Sequence, residues 1–124
     1  MNEMKVTVRN SDQFPINLTY KGEATKLGDS DFFVFTVREK IGDDKYLIRR
    51  EIDNNNYNEE LGCYLLDIFP SDTVSVKLED YKDEKIFKYD ITLYNRESED
   101  FEKTLRKGDF IVSWRASEEG DENV

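Results

Sequence analysis

The stretch Asp31-Phe32-Phe33-Val34-Phe35-Thr36-Val37 decides the fold of this chain. Every residue after Asp31 is aromatic or β-branched, the types that fit a pleated backbone and lose side-chain freedom in a helix. Side chains alternate across a strand, so Phe33, Phe35 and Val37 line one face while Phe32, Val34 and Thr36 line the other. A strand that is apolar on both faces is central in a packed sheet, or lies where a second chain covers its outer side.

The same alternation recurs in both directions from this stretch. Phe87, Tyr89, Ile91 and Leu93 keep a clean period of two opposite Lys88, Asp90, Thr92 and Tyr94, which makes this the clearest strand. Towards the N-terminus, residues 5–9 put Val6 and Val8 on one side and polar residues on the other. Asn10-Ser11-Asp12 reads as a turn, and Pro15, with no N–H to give a ladder, places the next strand at 16–20 near a sheet edge. Ile41-Gly42-Asp43-Asp44 supplies turn chemistry, so 46–52 reads as the hairpin partner of the opening stretch.

Residues 53–60 are rich in Asn, Asp and Glu and read as a solvated loop. They lack the central Gly and terminal Glu register of a helix-loop-helix calcium site. Residues 62–69 form another strand, which Pro70 closes. Between 71 and 81 two readings stand. Val74, Val76 and Leu78 alternate as in a strand, whereas Val74, Leu78 and Tyr81 share a helical face with Ser71 or Asp72 as a cap, a short helical crossover. The remainder reads as a terminal meander: a charged loop at 95–100, a return strand at 101–105, a tight turn at Lys107-Gly108-Asp109, then Phe110, Val112 and an inward Trp114.

About seven or eight strands, most with one apolar face, imply an all-β, antiparallel two-sheet β-sandwich; a small barrel would use the same alternation. Its 124 residues suit one domain, here 1–114, followed by an acidic segment at 115–124 with almost no apolar anchors, expected to be mobile.

Composition narrows the function. The chain carries 28 acidic and 18 basic residues, a net charge of -10, and the Lys and Arg residues are scattered among carboxylates. Counterion release on DNA or RNA needs a gathered basic surface, so nucleic acid is not an expected partner. No secretory signal or run of roughly 20 apolar residues is present, so no membrane partner is expected either. Without histidine and with Cys63 alone, neither a histidine-based triad nor a His/Cys zinc site can be assembled from one chain. The glycines are isolated, and no phosphate-cradling loop appears. We therefore expect no catalytic residues, no cofactor and no metal. Phe32, Val34 and Tyr94 are the candidate interface residues, because they face away from the strongest apolar rows.

Four segments in order carry a resemblance: 27–37, Phe69-Pro70-Ser71-Asp72-Thr73, 87–93 and 104–112. Together they resemble small β-sandwich proteins encoded in bacteriophage and prophage tail regions, and in particular the immunoglobulin-like N-terminal domain of baseplate upper proteins. The resemblance covers 4–114. Pro70-Ser71-Asp72-Thr73 is similar to that family's Pro-Glu-Asp-Thr crossover, which implies a short helical turn there. The resemblance further implies a noncatalytic structural protein, made in the bacterial cytoplasm and carried in the virion, that associates with itself or with neighbouring tail proteins. The alternative from another class is a carbohydrate- or ligand-binding β-sandwich module that uses exposed aromatic rings. Unlike the larger baseplate proteins, this sequence is expected to hold a single domain.

Overall fold

The computed structural model describes residues 3–40, 44–77 and 83–114. In chain order they form β1 (Glu3–Thr7), β2 (Asp12–Ile16), β3 (Thr19–Tyr20), β4 (Glu23–Ala24), β5 (Asp31–Arg38), β6 (Ile48–Ile52), β7 (Tyr57–Asn58), β8 (Cys63–Ile68), α1 (Pro70–Thr73), β9 (Glu84–Asn95) and β10 (Ser98–Ser113). A five-stranded sheet runs β1-β10-β9-β5-β6 and faces a three-stranded sheet β2-β8-β7, while β3 and β4 make a small separate hairpin. The all-β, two-sheet sandwich with a short helix is therefore the fold, and it is consistent with an immunoglobulin-like sandwich. One pairing breaks the antiparallel rule: β1 lies parallel to β10, with Met4 opposite Phe110 and Val6 opposite Val112.

The period-two pattern explains the core. From β5, Phe33, Phe35 and Val37 point inward and are fully buried; Phe87, Tyr89 and Ile91 of β9 and Phe110 and Val112 of β10 join them. Tyr64, Leu66 and Ile68 of β8 close the other side. Phe33 meets Tyr64 edge-on across the two layers at 5.4 Å between ring centroids, while Phe35 packs on Phe110 at 6.0 Å within its own sheet. Such aromatic pairs add about 0.5–1.5 kcal/mol each beyond area burial. Trp114 is partly buried against this core, as its position in the Phe110, Val112, Trp114 series implies.

Several boundaries differ from the sequence reading. The strand expected at 16–20 is divided: Ile16 ends the earlier β2, which contains Pro15, and residues 19–20 form β3. Because β2 is an edge strand with β8 as its one neighbour, a residue lacking an N–H can sit there without breaking a ladder on both sides. Lys107-Gly108-Asp109 is not a turn. β10 runs unbroken through it, pairing Gly108 with Tyr89 and Asp109 with Lys88, so the expected meander is one long hairpin with β9. The polar run 53–60 is not wholly loop: Asp53 caps a single 3-10 turn at Asn54–Asn56, and Tyr57–Asn58 pairs with β8. The strand expected at 46–52 begins at Ile48.

At the undecided segment, Pro70–Thr73 is helical, with Pro70 in the first turn and the Phe69 N–H donating to Asp72 Oδ2 at 2.7 Å. Residues 74–77 form no strand; 78–81 lie outside the described residues, as do 41–43 of the first hairpin turn and the acidic segment 115–124.

Candidate functional site

The register of β5 on β9 places Phe32 directly opposite Tyr94 and Val34 opposite Thr92, all on the face of the five-stranded sheet that points away from the core. Phe32 and Tyr94 stack, with ring centroids 5.7 Å apart and planes 22° from parallel. Above Phe32 lies the guanidinium of Arg96, 4.1 Å from the ring centroid, a cation held over the negative face of the π-system. Arg96 is itself positioned: Nη2 donates to Glu51 Oε1 at 3.0 Å, and its backbone N–H donates to the Ser30 carbonyl at 2.8 Å. Asn95 Nδ2 donates to Asp31 Oδ1 at 2.7 Å, which ties the start of β5 to the end of β9 beside the stack. Burial, and next the carboxylates of Glu102 and Asp90, push the Tyr94 phenol above its ordinary pKa, so its hydroxyl stays protonated.

Val34 shares this face but is only 3 % exposed, and Thr36 and Thr92 are buried beside it. The floor of the outer face is thus already closed within the chain. Of the three candidate residues, Phe32 and Tyr94 meet as a half-buried pair at the surface, and Val34 lies buried further along the same face. Sequence reasoning did not find Arg96, whose place over Phe32 follows from cross-strand register. It also missed a cleft of about 710 Å³ further along the same sheet, lined by Arg38, Lys88, Asp90, Arg106, Lys107 and Asp109 among others.

Among the described residues, no group of three or more His, Cys, Asp or Glu side chains is placed to hold a metal ion. Asp53, in the segment weighed as a calcium loop, instead accepts from the Asn55 N–H at 2.9 Å as a helix cap. Cys63 is buried in β8. No helix among the described residues is long and apolar enough to cross a membrane.

A β-sandwich with an aromatic and cationic cluster on one sheet face is consistent with an interaction or ligand-binding module, since Tyr, Phe and Arg are enriched at interfaces. No family model matches this chain, and no curated protein matches its sequence.

Proposed function

We propose that this chain is a noncatalytic attachment module that works by protein-protein contact through the outer face of its five-stranded sheet. The observation that carries this reading is the Phe32, Tyr94 and Arg96 cluster. Its residue types are those enriched where interfaces concentrate their binding free energy, and its rigid support by Glu51, Ser30 and the Asn95–Asp31 bond lowers the entropy lost on binding. The partner is a second copy of the chain or a neighbouring component of a bacteriophage or prophage tail, with synthesis in the bacterial cytoplasm and residence in the virion. The four-segment resemblance supports the tail assignment, and the sandwich fold is compatible with it.

The carbohydrate reading is less well supported by the same cluster. A sugar-binding platform needs an open ring face, and Phe32 already carries both Tyr94 and Arg96.

Sedimentation and light scattering across protein concentration, with a pulldown against the products of adjacent genes, test the proposal. Phe32→Ser is expected to weaken the association about tenfold or more without unfolding the chain, since Phe32 lies outside the core cluster. A strictly monomeric wild type that also retains no tail component would refute it. Binding on a glycan panel that is lost with the same substitution would transfer the site to the carbohydrate reading.

A further inference from the structure

Four of the chain's 18 basic residues, Arg38, Lys88, Arg106 and Lys107, line one cleft, against Asp90 and Asp109 from its 28 acidic ones. On a strongly acidic chain this is a local reversal of sign, and the strand register produces it. Arg38 of β5 stands directly opposite Lys88 of β9, a like-charge pairing that is unfavourable by itself. Lys107 and Asp109 of β10 face Asp90 and Lys88. Between Thr104 and Arg106 the β9–β10 register shifts, leaving Leu105 unpaired; such bulges re-aim the side chains that follow.

The cations are not equally satisfied. Lys88 Nζ lies 2.6 Å from Asp109 Oδ1, a short charge-assisted bond. Arg38 Nη1 is 3.5 Å from Asp90 Oδ2, long for such a bond, and Arg38 Nε is buried with no hydrogen-bond partner. Asp90 is shared, since its Oδ1 also accepts from Thr92 Oγ1 at 3.0 Å. By contrast, Arg50 elsewhere in the chain makes two short bonds to one carboxylate. The guanidinium of Arg38 is therefore an underused fork beside a second cation, and a planar fork of N–H donors matches a carboxylate or phosphate.

We propose that this cleft binds an anionic ligand bearing two or more carboxylate or phosphate groups, with Arg38 and Lys88 seating one group and Lys107, on the same outer face, attracting the other. The site is separate from the Phe32 cluster and stands whether or not that cluster binds protein. Its volume is in the range of small-ligand sites. The same chemistry suits a free small anion or an acidic segment of a protein.

Calorimetry at low ionic strength with inorganic phosphate, citrate, a hexaglutamate peptide and a single-stranded oligonucleotide tests the site. Citrate or hexaglutamate is expected to saturate one site, more weakly as salt is added. Tighter binding of the peptide assigns the ligand to a protein segment, and binding of citrate or phosphate at least as tight assigns it to a small anion. Arg38→Gln should weaken binding about tenfold, as should Lys88→Gln should the first variant perturb the sheet, while Phe32→Ser should leave it unchanged. Circular dichroism confirms that each variant is folded. Absence of saturable binding to any of the small anions or the peptide, binding confined to the oligonucleotide, or affinity indifferent to both substitutions would overturn the proposal.

Discussion

Arg50 and Asp72 clasp the two layers of the sandwich. Arg50 points inward from β6, an edge strand of the five-stranded sheet, and its Nη1 and Nη2 donate to Asp72 Oδ2 and Oδ1 at 2.9 and 2.8 Å. Nη1 also reaches the carbonyl of Asp67 in β8, and the guanidinium lies 5.0 Å from the Phe69 ring. The next residue, Thr73, accepts the Arg9 N–H at 2.8 Å just beyond β1, the opposite edge of the same sheet. The two edge strands share no ladder, yet both are fastened to adjoining residues of α1. A four-residue helix that could not persist alone is stable here because it brackets two sheet edges.

Asp72→Ala should therefore cost about 2–3 kcal/mol in urea unfolding, because it strands the Arg50 fork and removes the acceptor of the Phe69 N–H. Arg50→Met should cost less, since its stem and the Phe69 contact survive as packing. In a double-mutant cycle the pair should couple by about 1–2 kcal/mol; a coupling near zero would show that the bidentate bond contributes nothing net.

The same bond predicts a pH dependence. Burial alone would raise the Asp72 pKa, but the Arg50 hydrogen bonds and the Phe69 N–H outweigh it and hold the carboxyl below the ordinary 3.8. A lowered folded value means the unfolded chain takes up its proton first on acidification. The stabilisation is thus complete above the ordinary aspartate value and is lost as pH falls through the lowered one. Urea midpoints of wild type and Asp72→Asn should differ by a constant amount from neutral pH down to the ordinary value and converge below it. Curves that stay parallel into acid would remove Asp72 as the titrating group.

Thr73 is fully buried, and its hydroxyl answers a single backbone donor on a residue with φ of 62°. Thr73→Val keeps the shape and deletes the acceptor, so it should cost about 1–3 kcal/mol, whereas Thr73→Ser should recover most of that. Hydrogen exchange at the Arg9 amide separates this cause from packing: protection should fall in the Val variant and persist in the Ser variant.

What could be read from the residues, and what could not, follows from the range of the forces involved. Alternation within β5 and β9 is local, so the inward row of Phe33, Phe35 and Val37 and the outward place of Phe32 and Tyr94 were legible. Gly108 misled, because a glycine between Lys and Asp signals a turn as readily as a strand position opposite the bulky Tyr89. The cationic cleft was hidden for a different reason. Arg38, Lys88 and Lys107 are scattered along the chain and become neighbours only through strand register, which composition does not encode. Val34 illustrates the same limit: its side of the strand was evident, but its burial depends on what the adjoining strands place around it.

Tyr64 offers a last test, of the polar network inside the core. Fully buried in β8, its hydroxyl accepts the Leu27 N–H at 2.5 Å and donates to Asn54 Oδ1 at 2.7 Å, while Asn54 Nδ2 returns to the Leu27 carbonyl at 3.0 Å. The ring of bonds fixes the backbone before β5 and the 3-10 turn after β6 onto one side chain. Tyr64→Phe keeps the edge-on contacts with Phe33 and Tyr57 but orphans Leu27, for an expected loss of about 1–3 kcal/mol. Burial above all raises the phenol pKa from 10.0, so its contribution is complete below that value and disappears as pH rises through the higher folded one. The stability difference between wild type and Tyr64→Phe should therefore hold steady up to about pH 10 and shrink above it. A difference unchanged in alkali would mean that the hydroxyl ionises as freely in the folded chain as in the unfolded one, contrary to its enclosure by Leu27 and Asn54.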